Sequence, residues 1–419
     1  MSVKELIVNA GSSSLKYTVY LMPEEEVLCN GIFQQLCTDK PTFTHKLPNE
    51  NGKLVKVIDD MPIKAGAEHK DAIEILIETL TGKEHGVLAS MDEIAAVGHR
   101  VLHGGEEFSG SVLVTEEVKE AIRKCIPLGP LHNPANLTGI EVCESVMKGI
   151  PNVAVFDTAF HQTIAKEAYM YALPYEYYEK YGIRRYGFHG TSHRYIAKRT
   201  AAFLCEKYPG KYDSETLRVV TCHLGNGSSL AAIKGGKCVD TTMGLTPLEG
   251  IMMGTRSGSI DPAIIPFIME KENLTAKEVD TILNKKSGML GLTSCDPNNE
   301  ATSDNRTIEN RAKNGDERAM LVEAMFCHQL TKLIGSFIAE MGGADAVVFT
   351  GGIGENNPHY RSRVGAKFAY MGTTIDEAPN SVRGEEIEIS TDDSALKFLV
   401  IPTDEELMIA QDTYELTQK

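Results

Sequence analysis

The sequence predicts an α/β protein made of two duplicated, β-rich domains. Three observations support this. At 419 residues the chain is too long for one small core. Near its start, LIVNAGSSSLKYTVY (6–20) reads as an apolar strand, a turn of small polar residues and a second strand. About half a chain later, RVVTCHLGNGSSLAAIK (218–234) repeats that pattern, as an internal duplication would.

The elements between these hairpins alternate. Residues 28–60 carry short strand patterns broken by Pro41, Pro48 and Asn51-Gly52, a meander on the first sheet. Residues 68–82 set Ala72, Ile75, Leu76 and Leu80 on one face, predicting a helix that stops at Gly82. Ile94 to Val97 is a buried strand entering GHRVLHGG, and a helix follows at about 115–126. Val153 to Phe156 is a strand that delivers Asp157 at its C-terminal end, where α/β proteins hold ligands. Residues 165–215 read as helical and tyrosine-rich, and 294–306 as a polar, Asn-rich stretch. Helices are predicted at about 275–285 and 316–341, with strands at 346–349 and 398–401. A last helix starts at Glu405, capped by Thr403 or Asp404.

Composition narrows the function. Hydrophobic residues make up 42% and charged residues 24%, and tryptophan is absent, the profile of a soluble globular protein. Apolar runs such as Ala344 to Phe349 are far shorter than the ~20 residues of a membrane helix, so no membrane role is expected. The nine cysteines are odd in number and form no C-x-x-C pair, pointing to reduced thiols. Lys4 and Glu5 directly precede the first strand and leave no room for a signal peptide, so a cytoplasmic location is expected. A net charge of −16 argues against nucleic acid as a partner. If the ligand is an anion, particular arginines and backbone donors must create a local positive field.

Three turns of small residues, at 9–14, 225–229 and 350–355, each follow an apolar strand. One such turn is only a turn; three at equivalent positions suggest a phosphate site built from strand ends. No Walker G-x-x-x-x-G-K-[ST] occurs anywhere in the chain. The third turn sits where a helix N-terminus could meet a phosphate or an adenosine edge. His189 and His193 have metal-pair spacing, but Gly-Thr-Ser between them argues against a continuous helix, and no third ligand is evident.

Taken together, NAGSSSLKY (9–17), GHRVLHGG (98–105), PLHNPAN (130–136), VFDTAFH (155–161) and YGFHGTSH (186–193) resemble the acetate kinase family. HLGNGSSL (223–230), TPLEGIMMGTRSG (246–258), FTGGIGEN (349–356) and PTDEELMIAQD (402–412) extend the resemblance over essentially the whole chain. It places the protein in the actin, Hsp70 and sugar-kinase superfamily. The fold so implied is two duplicated ribonuclease-H-like (actin-like ATPase) domains with an active-site cleft between them. Residues 1–158 plus 404–419 would form the acyl and magnesium side, and 159–403 the nucleotide-binding and dimerisation domain.

The resemblance implies transfer of the ATP γ-phosphoryl to acetate, giving acetyl phosphate and ADP, with Mg²⁺ (or Mn²⁺) and in a homodimer. The chemistry agrees. Phosphoryl transfer is mostly alignment and charge neutralisation, and a carboxylate with a pKa near ~4 is already ionised and needs no base. Arg100 matches the substrate-binding arginine; its bland alternative is a surface ion pair. Arg256 and His189 match transition-state residues, although Arg256 among glycines could be an ordinary loop arginine. His132 matches a further phosphate or carbonyl contact. Asp157 is the family's acid/base position, and a role in orienting the metal's water or an arginine suits acetate better. Asn9 and Glu405 match the metal positions; alone, Glu405 would be a first-turn helix carboxylate.

The implied ATP segments are Lys16, the run His223, Leu224, Gly225, Asn226 and Gly227, then Asp304, Asn305 and Arg306. Gly351, Gly352, Ile353, Gly354 and Glu355 complete them. An insertion at Cys295 to Glu300 departs from the family pattern just before Asp304 and Arg306. Leu102, Leu131, Phe188 and Pro247 correspond to the acyl pocket. Leu102 stands where Val is commoner, which narrows the pocket toward acetate by one methylene, a bias of only ~1–3 kcal/mol. A propionate or butyrate kinase is the alternative within the family, and an actin- or Hsp70-like ATPase switch the alternative outside it. The anion-binding set Arg100, His189 and Arg256 has no purpose in a pure switch.

Overall fold

The computed structural model describes residues 2–130, 132–294, 296 and 299–418. The chain divides into two compact units, Met1–Gln162 with Asp404–Lys419, and Thr163–Thr403.

The first unit is a mixed sheet of β1 (Val3–Gly11), β2 (Ser14–Met22), β3 (Glu26–Gln34), β4 (Thr42–Pro48), β5 (Leu54–Pro62), β6 (Ile94–Val101), β7 (Val112–Leu113) and β8 (Asn152–Phe156). Their order is β5-β4-β3-β2-β1-β6-β8-β7. β1 pairs antiparallel with β2 and parallel with β6, and β6 runs parallel to β8. Leu6, Ile7 and Val8 are all buried because β1 is covered on both faces. Leu6 and Val8 pack in a core with helix His69–Leu80 and with Cys143 and Met147 at the end of helix Asn133–Val146. Ile7 packs on the other face with Ile409 and Ala410 of the C-terminal helix Glu405–Thr417. Asp404 caps that helix by accepting from Leu407 N at 2.9 Å.

The second unit repeats the scheme with β9 (Arg218–Leu224), β10 (Ser228–Lys234), β11 (Lys237–Thr241), β12 (Ala346–Thr350), β13 (Ile387–Glu388) and β14 (Lys397–Val400). The order β11-β10-β9-β12-β14-β13 reproduces β3-β2-β1-β6-β8-β7 of the first sheet. Directions match as well: β9 is antiparallel to β10 and parallel to β12, which is parallel to β14. The duplication is thus one of topology, not only of sequence. Val220, Cys222 and Leu224 face the long helix Glu317–Glu340, which buries Val322, Phe326, Leu330, Ile334 and Phe337 at i, i+3/i+4 spacing. From the opposite face of β9, Thr221 meets His193 on helix Gly190–Lys207.

Two local expectations differ from the structure. The stretch 165–215 is helical only in pieces, at Lys166–Tyr169, Glu176–Tyr181 and Gly190–Lys207. Gly190, Thr191 and Ser192 form the first turn of the last of these, so His193 lies on the helix and His189 precedes it. Small residues suit that turn, whose N–H groups have no intrahelical partner. The polar stretch 294–306 ends inside a helix, Asn305–Lys313, because Asp304 accepts from the amides of Arg306 and Thr307 and caps it. Among the described residues, no helix is long and apolar enough to cross a membrane.

Candidate active site

In the first unit the strand ends converge as the sequence order predicts. Asn9 on β1 lies opposite Lys16 on β2, so their side chains share a face. Arg100 is the penultimate residue of β6 and Asp157 follows β8. The fully buried Asp157 carboxylate accepts from Arg100 Nε at 3.1 and 3.2 Å and from Nη2 at 2.6 Å. Glu405 opens the C-terminal helix with its carboxylate 3.6 Å from Arg100 Nε. Burial opposes the guanidinium's charge, but Asp157 and Glu405 outweigh it and hold the Arg100 pKa above its ordinary value. Burial also raises the pKa of Glu405; Arg100 pulls it down and the Asp157 charge pushes it further up. The site therefore holds more carboxylate than its arginine balances.

A cavity of about 210 Å³ opens beside this cluster, lined by Asn9, Lys16, Arg100, Leu102, His132 and Asn136 with the β1–β2 turn. His132 lies at the N-terminus of helix Asn133–Val146. Leu131 falls outside the described residues. The asparagines of PLHNPAN, to which the sequence assigns no role, hold backbone groups in place. Asn136 Nδ2 donates to the Ala10 carbonyl at 2.7 Å, while its Oδ1 accepts from the Leu102 amide at 3.0 Å. Asn133 grips the next residue, accepting from His103 N at 3.1 Å and donating to His103 O at 3.0 Å. His69 Nε2 donates to the Gly11 carbonyl at 2.7 Å. These bonds fix the glycine-serine turn and the Leu102 backbone relative to each other. Asparagines one and four residues after a candidate histidine are the available signal.

The second unit gathers His189, His223, Gly227, Pro247 and Arg256. Arg256 Nη1 donates to the Pro247 carbonyl at 3.1 Å. A Cβ on Gly227 would lie 3.4 Å from Arg256 Nη1 and 3.5 Å from His189 Nε2, so a guanidinium and an imidazole close on a bare stretch of backbone. Burial lowers the Arg256 pKa. His189 precedes its helix at φ +56°, a conformation rare outside glycine, and its ring stacks on His223 at 4.2 Å between centroids. Ser229 Oγ bonds His189 Nδ1 at 2.9 Å and His193 Nε2 at 2.8 Å. Ser192 Oγ ties His223 Nδ1 to the Thr403 hydroxyl, at 2.8 and 2.7 Å. Phe188 is buried.

The remaining nucleotide candidates are dispersed by comparison. Leu224 has its side chain in the core, and Gly351, at φ +75°, lets β12 approach its backbone; a Cβ there would sit 2.8 Å from Leu224 O. The helix Gly351–Asn356, which includes Gly352, Ile353 and Gly354, does not present an open N-terminus. Glu355 Oε1 accepts from Gly351 N at 2.8 Å and from Thr403 N at 3.3 Å, so a carboxylate already occupies that end. Arg361, absent from the sequence reading, is buried beneath this turn and donates to the carbonyls of Gly354 and Glu355. Asn226 packs against the Arg256 loop, its carbonyl accepting from Gly254 N at 3.1 Å, and Gly225 N bonds Gly227 O. Asp304 and Arg306 pair with each other at 3.0 Å, with Arg306 87% exposed. Asn305 Oδ1 is buried without a hydrogen-bond partner.

Comparison with known proteins gives one answer. The profile of the acetokinase family matches residues 4–411. Acetate kinases of Methanosarcina mazei and Halothermothrix orenii are each 52% identical over 416 residues, covering 99% of this chain and 97% and 100% of theirs. The crystal structure of Porphyromonas gingivalis acetate kinase superposes with a TM-score of 0.88 at 46% identity, covering 99% of both chains. A propionate kinase from Francisella tularensis reaches the same TM-score at 38% identity, covering 99% of this chain and 100% of its own. Matched along essentially its whole length by these proteins, the chain belongs to the acetokinase family.

Proposed function

We propose that the protein is an enzyme that reversibly transfers the γ-phosphoryl group of ATP to the carboxylate of acetate, giving acetyl phosphate and ADP. The observation that carries this is full-length kinship with acetate kinases at about half identity. Acetate is ionised at neutral pH and attacks directly, so the work left for the protein is positioning and charge neutralisation.

The geometry suggests how each unit contributes. Arg100 has Nε and Nη2 committed to Asp157, which leaves its Nη1 edge for the acetate carboxylate. Asp157 acts as the brace of that arginine, and Leu102 and His132 line the same cavity. Phe188 and Pro247, with Leu131, complete the acyl-pocket assignment. His189 and Arg256, converging on Gly227, neutralise charge on the transferring phosphoryl. The loop His223 to Gly227, with Lys16, Asp304, Asn305, Arg306 and Gly351 to Glu355, takes the nucleotide. Residues 1–158 plus 404–419 serve the acyl group and metal, and 159–403 the nucleotide and a homodimer contact. The protein acts in the cytoplasm, without nucleic acid or membrane partners.

A divalent cation accompanies ATP in this family. The residues fit one: Asp157 and Glu405 gather more negative charge than Arg100 cancels, and hard oxygen donors are what Mg²⁺ prefers. Asn9 and Glu405 would hold Mg²⁺, with Mn²⁺ as a substitute. When bound, it supplies charge neutralisation to the phosphate oxygens.

The propionate kinase among the structural relatives makes acyl-chain length the second reading. An acyl-hydroxamate assay with ATP, Mg²⁺ and acetate, propionate or butyrate in parallel tests both. Acetate should turn over best. No product with any acid rejects the kinase, and faster turnover of a longer acid rejects acetate as its substrate.

A further inference from the structure

The buried side chains behind His189 form a chain whose hydroxyl protons can be counted. His189 Nδ1 meets Ser229 Oγ at 2.9 Å, Ser229 Oγ meets His193 Nε2 at 2.8 Å, and His193 Nδ1 meets Thr221 Oγ1 at 2.6 Å. Ser229, His193 and Thr221 are fully buried. Each hydroxyl has one proton to give, and a neutral imidazole has one donor and one acceptor nitrogen. Ser229 Oγ has no acceptor other than these two rings among the described residues, so its buried proton goes to one of them, and with both rings neutral the donors then run in one direction along the chain.

The short end sets that direction. Thr221 Oγ1 lies 2.6 Å from His193 Nδ1. The alternative acceptor for Thr221, the Ala231 carbonyl, is 3.5 Å away and competes poorly. Thr221 therefore donates to His193 Nδ1, His193 Nε2–H donates to Ser229, and Ser229 donates to His189 Nδ1. His189 is left with its proton on Nε2, the atom that closes on Gly227 beside Arg256.

We propose that Ser229, His193 and Thr221 are positioning residues: they fix neutral His189 in the Nε2–H form, so that it presents a hydrogen-bond donor to the transferring phosphoryl without having to be protonated. The proposal rests on the assignment of His189 to phosphoryl transfer. Its distinctive residue is Thr221, three bonds along the chain from His189 and on the far side of two buried side chains.

The test is long-range ¹H–¹⁵N correlation on the full-length protein labelled at histidine, at a pH where the rings are neutral. Wild-type His189 and His193 should both carry the proton on Nε2. Ser229→Ala and Thr221→Val should mix the His189 tautomers and lower kcat about tenfold, with KM for ATP and acetate nearly unchanged. Wild-type His189 protonated on Nδ1 overturns the relay, as do variants that keep both the wild-type tautomer and wild-type kcat. Should neither variant fold, the wild-type spectrum decides alone. His189→Ala with undiminished kcat would overturn the assignment on which the relay depends, and the spectrum separates that failure from failure of the relay itself.

Discussion

Arg100 and Asp157 form a two-pronged ion pair at the ends of adjacent parallel strands, with Nη2 and Oδ2 2.6 Å apart and the carboxylate fully buried. The pair holds the Arg100 side chain in a fixed orientation. It also makes the two residues inseparable energetically.

Replacing Arg100 by Ala should strip Asp157 of its compensating charge. Breaking a buried pair this way costs about 3–5 kcal/mol, while Arg100→Ala with Asp157→Asn should recover part of that loss. Urea unfolding of the single and double variants measures it. In the same proteins the acetate KM should rise far more than the ATP KM; an unaltered acetate KM would refute the assignment of Arg100.

Arg256 Nη1 donates to the Pro247 carbonyl and lies by Met253 Sδ, 3.4 Å from where a Cβ on Gly227 would sit, and no carboxylate among the described residues pairs with it. Arg256→Ala should lower kcat by about 10²–10³ with a much smaller change in the KM for ATP. Steady-state kinetics in both directions give the comparison.

Asn136 ties the Ala10 carbonyl to the Leu102 amide, so its donor and acceptor ends are both used. Asn136→Asp sets a carboxylate oxygen against the Ala10 carbonyl and should be worse than Asn136→Ala. Each should cost at least ~1–3 kcal/mol for the buried group left unsatisfied. Thermal unfolding and the acetate KM should both respond.

Glu5, buried on β1 with neither carboxylate oxygen hydrogen-bonded, has its pKa pushed by burial from 4.5 up to about 8. Folding thus favours the protonated acid. The stability it allows is fully present below pH 4.5 and is lost as the pH rises toward about 8, because the unfolded chain releases the proton first. Glu5→Met removes the ionisable group at similar volume. It should flatten the stability profile across that window by up to ~1.4 kcal/mol per pH unit. Chemical unfolding at a series of pH values reads the slope; an unchanged slope would clear Glu5 of this role.

The sequence by itself determined the duplicated α/β plan and which turns follow its strands. The reason is periodicity and turn chemistry: LIVNAGSSSLKY and HLGNGSSLAAIK each encode a strand, a tight turn and a strand within one window. Local signals also foretold the Asp404 cap and the placement of Asp157 after its strand. Tertiary structure alone decided what those residues touch. Asp157 and Arg100 meet because β6 and β8 are neighbours, a pairing across 57 positions that no local pattern specifies. Glu355 reaches the amide of Gly351 at the mouth of its own helix, where sequence suggested an open anion site. The helix through Gly190, Thr191 and Ser192 turns His193 inward onto Ser229, and His189 leans on the same hydroxyl from outside that helix. Hydrogen bonds between distant segments depend on packing of whole elements, and only the folded chain brings their atoms within 3 Å.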